Sequence, residues 1–183
     1  MALDIPLIQR ALADDALDGW LLYDFHGSNP IAQSLTGLTG RHTTRRWYYF
    51  IPANGTPRKL VHAIEAGVLE HLPGDTRTYA GRLQLSAGLA ETVRGAGRIA
   101  MEYSPRCAIP YVSRVDAGTI EAVADCGVVI VSSGDLVGRF EAAWNDEQIG
   151  WHRAAADKLH RIKDATFDHI ARELGANRPV DEL

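Results

Sequence analysis

Only two cysteines, Cys107 and Cys126, occur in the 183 residues, and they form neither a CxxC pair nor a metal-ligand spacing. This argues against a disulfide-stapled fold and a thiolate metal site, and makes two reduced thiols in a cytoplasmic setting the expectation. Positive charge is short as well. The formal net charge is -4, which argues against the counterion-releasing surface of a general nucleic-acid binder. No apolar run approaches the roughly 20 residues of a membrane span. The opening Met-Ala-Leu-Asp-Ile-Pro has neither the basic nor the apolar region of a secretory signal, so neither export nor a membrane partner is expected. Also missing are a Gly-x-Ser-x-Gly elbow, a His-Glu-x-x-His pair and a phosphate loop ending Gly-Lys-Ser or Gly-Lys-Thr, and with them the commonest hydrolytic and nucleotide signatures.

What is present reads as an ordinary globular chain, 46% hydrophobic and 23% charged, with no repeat and no sign of disorder. A chain of this size buries roughly 70% of its unfolded surface, enough for one domain and little more. Ile5, Ile8, Leu12 and Ala16 have helical spacing over 4–16, and Gly19 is read as the stop before a strand, Trp20-Leu21-Leu22-Tyr23. Trp47 to Ile51 and Lys59 to His62, split by Asn54-Gly55, predict a β-hairpin. Helices are predicted over 64–72, 83–93, 105–114 and 117–124, and strands over 76–80 and from Ile99. Val128-Val129-Ile130-Val131 reads as a strand covered on both faces. The alternation predicts an α/β fold.

Beyond this, Asn145 with Gln148 three positions on predicts a capped helix whose apolar positions run from Ile149 through Leu159, Ile162 and Ile170 to Leu174. Such a rod is longer than a small domain needs and suits a connection between two bodies. His160, Asp164 and Asp168 share a face of it, but three exposed polar side chains read more simply as its solvated side than as a metal site. Gly95-Ala96-Gly97-Arg98-Ile99-Ala100 has the letters of a dinucleotide turn in the wrong order of elements, ending a helix and opening a strand.

Two features remain as site candidates. Arg41, His42, Arg45 and Arg46 fall within six positions, and arginine's planar fork matches a carboxylate or phosphate; the alternative is an exposed loop of weak ion pairs. His26 ends the first strand, where α/β sheets place binding groups. Asp24 and Asn29 either orient it or satisfy the turn's own backbone.

The strand Trp20 to Tyr23, the turn Asp24 to Pro30, Leu35-Thr36-Gly37, the run Arg45 to Pro52 and Met101-Glu102-Tyr103-Ser104-Pro105 together resemble the amino-terminal domain of the creatinase, prolidase and aminopeptidase P family. Ser34 stands where that family commonly has an aromatic residue. Arg139, Glu147 and Ile149 resemble its crossing to a second domain, and Val180-Asp181-Glu182-Leu183 the start of that domain.

The resemblance implies a mixed β-sheet flanked by helices on both faces over 1–140. Residues 141–183 would be a connecting helix and the truncated start of a "pita-bread" catalytic domain. It implies a parent enzyme hydrolysing Xaa-Pro peptides with two divalent metal ions (manganese, cobalt or zinc), held by two Asp, one His and two Glu that lie beyond Leu183. This chain would then carry no catalytic or metal residue of its own. It would serve homodimer assembly, cover its own catalytic domain and shape peptide access, with His26, Arg41, His42, Arg45 and Arg46 as the access candidates. The alternative is a stand-alone module binding a small molecule or a protein on the same scaffold.

Overall fold

The computed structural model describes residues 3–181. The last two positions of the Val180 to Leu183 segment lie outside them. The described residues divide into two compact units, one up to Ala142 and one from Ala143.

In the first unit α1 (Ile5–Asp14) starts where Asp4 Oδ1 accepts from the Leu7 amide at 2.9 Å, with proline in its first turn. It buries Ile5, Ile8, Ala11 and Leu12. Its stop is not Gly19 but Ala16, which takes a left-handed φ of +52° and lets the Leu17 amide bond back to Leu12. Gly19 instead opens β1 (Gly19–Asp24), where a Cβ would meet the Phe50 ring at 2.3 Å.

A short helix that the sequence did not announce, α2 (Pro30–Leu35), follows. Asn29 caps it and Pro30 supplies its first-turn geometry. The predicted hairpin is β2 (Trp47–Pro52) with β3 (Arg58–His62), joined antiparallel. β4 (Asp75–Tyr79) and α3 (Arg82–Thr92) come next, then β5 (Arg98–Met101), α4 (Ala117–Ala124), β6 (Val129–Ser132) and α5 (Gly134–Phe140). The Gly95 to Ala100 segment is the helix-to-strand turn expected, with Gly95 at φ +82°.

Among the described residues the sheet has six strands in the order β4-β3-β2-β1-β5-β6. β1/β2 and β2/β3 pair antiparallel, while β1/β5, β5/β6 and β3/β4 pair parallel. Period-two alternation sends Trp20 and Leu22 of β1 to one face with α1, α2 and α5, and Leu21 and Tyr23 to the other with α3 and α4. The mixed sheet with helices on both faces is therefore as expected. Each fully buried Leu, Ile or Phe contributes about 1.5–3 kcal/mol toward holding the layers together.

Three further expectations fail. Residues 64–72 form only a 3-10 turn (Ala63–Glu65) and further turns closed three residues back. The buried Lys59 ammonium donates to the carbonyls of Leu69 and Leu72, at 3.4 and 2.8 Å, and holds the chain in these turns.

Residues 105–114 are likewise not a helix. Pro110 has no N–H to give, Arg106 and Cys107 have positive φ, and the Arg114 and Val115 amides both turn back to the Glu102 carbonyl. Finally, β6 is an edge strand with Val129 62% exposed, rather than a strand covered on both faces.

The second unit carries α6 (Asp146–Gly175), whose 30 residues extend about 45 Å. Its capping box forms as read, with Gln148 N to Asn145 Oδ1 at 2.8 Å and Asn145 N to Gln148 Oε1 at 2.9 Å. Leu159, Ile162, Phe167 and Leu174 are exposed. No helix among the described residues is long and apolar enough to cross a membrane.

Candidate functional site

Most of the site candidates gather near the end of β1, and the carboxylates of Asp24 and Glu65 hold the loops that present them. Asp24, the last residue of β1, is fully buried. Its Oδ1 accepts from the Asn29 amide at 2.8 Å, and its Oδ2 from the Gly27 amide at 3.0 Å, with Gln33 Nε2 and Thr43 Oγ1 both at 3.3 Å. Asp24 and Asn29 therefore satisfy the turn rather than orient His26, the second of the two readings left open. The turn has positive φ at His26 (+56°) and Gly27 (+75°) and pushes His26 out to solvent, edge-on to Phe25 with ring centres 4.5 Å apart.

The arginine-rich loop is anchored by Glu65. Its carboxylate accepts from Thr44 N at 2.9 Å, Thr44 Oγ1 at 2.6 Å and Arg45 N at 3.2 Å. Burial pushes this carboxyl up, but those bonds outweigh it and hold Glu65 below its ordinary range. At the other end Tyr79 donates its hydroxyl to the Arg46 carbonyl at 2.8 Å. The loop thus brings His42 to 6.3 Å from His26, ring centre to ring centre, and the Arg46 guanidinium to 5.5 Å above the Phe25 ring. Arg45 and Arg46 reach a neighbouring cleft. Arg41 is exposed, and its side chain makes no hydrogen bond or ion pair among the described residues.

Beneath this rim lies a buried polar cluster that sequence reasoning missed. Glu102, immediately after β5, is fully buried. Its Oε1 accepts from Trp20 Nε1 at 2.7 Å and Ser133 Oγ at 3.1 Å, and its Oε2 from Asn29 Nδ2 at 2.8 Å. Complete burial pushes its pKa up to about 7 against those three donors. The one signal in the sequence was an acidic residue directly following the apolar Ile99-Ala100-Met101. Glu102 ties β1, α2, β5 and the start of α5 together under the His26 turn, so it positions the site without facing it.

The cleft opens between α3 and α4 and has a volume of about 790 Å³; Phe25, Arg45, Arg46, Tyr48, Tyr79 and Asp116 are among its lining residues. Asp116 caps α4 through Thr119 N at 2.9 Å and also accepts from Tyr23 OH at 3.2 Å. Burial works against its charge, but the bonds from Thr119 and Tyr23 hold its carboxyl below the ordinary range. Among the described residues no group of three or more His, Cys, Asp or Glu is placed to hold a metal ion. Asp164 of the helix-face trio instead pairs with Lys163 at 2.8 Å. The arrangement can bind and orient an anion, and no nucleophile and base are paired within it.

No family model and no curated protein matches this sequence. Solved structures do match. A proline dipeptidase structure from Streptococcus pneumoniae aligns over 79% of this chain and 100% of its own, at 14% identity and a TM-score of 0.58. The amino-terminal domain of a Xaa-Pro dipeptidase from Lactobacillus brevis aligns over 74% of this chain and 98% of its own, at 14% identity and a TM-score of 0.55. The prolidase from Pyrococcus horikoshii aligns over 80% of this chain but only 37% of its own, at 12% identity and a TM-score of 0.55. The fold is that of the creatinase/prolidase amino-terminal domain, and this chain spans about a third of that archaeal prolidase.

Proposed function

We propose that the chain is the non-catalytic amino-terminal domain of a Xaa-Pro dipeptidase-like metallohydrolase, with residues 141–183 as the connecting helix and the start of the catalytic domain. The observation that carries this reading is one of extent. The chain aligns with 98% of the solved amino-terminal domain from Lactobacillus brevis and 100% of the proline dipeptidase chain from Streptococcus pneumoniae, but with only 37% of the prolidase from Pyrococcus horikoshii and 44% of that from Thermococcus sibiricus. Two divalent metals, manganese, cobalt or zinc, would belong to the remaining part, where they would activate a water for attack on the peptide bond. None of the described residues offers them a site.

In this reading the domain assembles a homodimer in the cytoplasm and its rim shapes entry to a catalytic centre. His26, His42, Arg45 and Arg46 gather at one end of the sheet, Arg41 lies on the same loop, and an arginine there can hold the carboxylate of a peptide. Two free cysteine thiols, Cys107 and Cys126, support the cytoplasmic setting. A second reading, a stand-alone binding module, is favoured by the cleft between α3 and α4.

The reading frame distinguishes the two. Codons for two Asp, one His and two Glu in the order of the metal site beyond Leu183 support the first, and a stop codon there the second. In the complete enzyme each of His26, Arg41, His42, Arg45 and Arg46 is replaced by alanine. Loss of a carboxylate contact lowers kcat/KM roughly 10-fold to 150-fold for a free-carboxylate peptide and not for its amide. Equal losses on both substrates, or none, would overturn the access role.

A further inference from the structure

We propose that the cleft between α3 and α4 is a binding site for a small organic molecule bearing a carboxylate or phosphate, held by Arg45, Arg46 and Arg82 over the hydroxyl of Tyr48. The inference does not rest on the peptidase reading, since every residue it uses lies in the first compact unit.

Arg45, Arg46 and Arg82 line this cleft, and among the described residues none of their guanidiniums makes a hydrogen bond or a salt bridge; Arg45 has only the longer-range attraction of Glu65, and Arg46 lies over the Phe25 ring. Three other arginines do have carboxylate partners: Arg94 pairs with Glu91 at 3.5 Å, Arg139 with Asp15 at 3.0 Å, and Arg178 with Glu173. In a chain of net charge -4, three arginines without a salt bridge around one concavity form a local positive field, and the planar fork of each suits an oxyanion.

Tyr48 is the independent observation. It projects from β2 onto the α3/α4 face, is only 2% exposed and lines the cleft. Its hydroxyl has no hydrogen-bond partner among the described residues. The neighbouring phenols are satisfied, Tyr79 by the Arg46 carbonyl and Tyr23 by Asp116. The hydroxyl oxygen is not itself sealed from solvent, since Trp47 Nε1 is the buried side-chain polar atom left without a partner among the described residues, so the phenol opens to the cleft and is free to donate to a ligand acceptor there. Burial, reinforced by the nearby Tyr23, pushes the Tyr48 hydroxyl well above its ordinary range, so it stays protonated and serves as a donor.

The remaining walls define the rest of the ligand. Leu85 and Leu89 offer an apolar surface beside the arginines. α3 begins at the cleft with Gly81 at its cap and no side chain on its first-turn amides, which leaves N–H groups for the same oxyanion. Asp125 also lines the cleft, and Asp116, its oxygens already engaged, keeps its charge. Their side of the cleft repels a second anionic group, so the ligand has one anionic end and an uncharged or amino-bearing body. The volume falls within the ~300–1,000 Å³ of small-molecule sites.

The test uses the 183-residue chain itself, titrated with phenyl phosphate and phenylacetate to separate the two oxyanion sources, and with phenol as the uncharged control. At least one anion is expected to bind more tightly than phenol at millimolar concentration or below. Arg46→Ala and Arg82→Ala each weaken it roughly tenfold to a hundredfold, and Tyr48→Phe roughly threefold to tenfold. Arg94→Ala, which removes an already paired charge, leaves it unchanged. If both anions bind no better than phenol, or if the Arg82 and Tyr48 variants bind like the parent, the proposal is overturned. The readout is binding without any peptidase assay, so it fails or succeeds separately from the access role.

Discussion

The carboxylate of Glu102 receives the indole N–H of Trp20 at 2.7 Å in the fully buried centre of the sheet. An acid at the end of β5 is thereby joined to the strand that leads into the His26 turn. Asn29 and Ser133 complete its shell, so one side chain sets the relation between the loop after β1 and the start of α5.

The pH dependence of stability follows from that burial. Glu102 titrates at about 7 in the folded chain against an ordinary value of 4.5, so between these values the native state holds a proton that the unfolded state has released. Stability is fully present below about pH 4.5 and is lost as pH rises through about 7, on the order of 3 kcal/mol. Urea unfolding of the parent and of Glu102→Gln across this range checks it. The parent should lose stability relative to the variant as pH rises, and parallel profiles would show that burial does not shift this group.

Asn29→Ala should cost about 2–4 kcal/mol. It deletes the cap on α2, where Asn29 Oδ1 accepts from Ala32 N at 3.1 Å, and strands both the Tyr23 carbonyl and Glu102 Oε2. Asn29→Asp keeps the cap but places a second carboxylate beside Glu102, so it should be no better. Thermal and denaturant unfolding decide this; recovery of parental stability by the aspartate would show that the cap alone matters.

Amide exchange should be uneven along the chain. Among the described residues α6 buries none of its positions, whereas every residue of β1 and β2 is buried. In a demonstrated monomer the amides of 155–174 should exchange with the fast, locally opening population and those of β1 and β2 only with global unfolding. Protection of α6 equal to that of β1 would contradict this.

The purified chain should hydrolyse no Xaa-Pro peptide, with or without added manganese, cobalt or zinc. No described cluster can hold the ion that would activate water. Metal-dependent turnover that a chelator abolishes would overturn this.

Much of the fold could be read from the sequence because local physics decides it. The apolar run Trp20 to Tyr23, the Asn54-Gly55 hairpin and the Asn145/Gln148 capping box each depend on neighbours a few residues apart. Where distant groups compete for the backbone, reading failed. Lys59 ties down the carbonyls of Leu69 and Leu72 at the end of 64–72, and the Glu102 carbonyl gathers the amides of Arg114 and Val115.

The site divides the same way. Composition and spacing marked His26 and the arginines from Arg41 to Arg46 as exposed candidates. Only the tertiary structure decided that Arg45 and Arg46 face a cleft with Arg82 and Tyr48, and that Arg41 does not. It also revealed Glu102 as the buried hub below them, 82 residues from Trp20 along the chain. A side chain's partners across a sheet are set by strand order and register, which no local pattern contains, whereas its own tendency to cap, turn or alternate is written in its immediate neighbours.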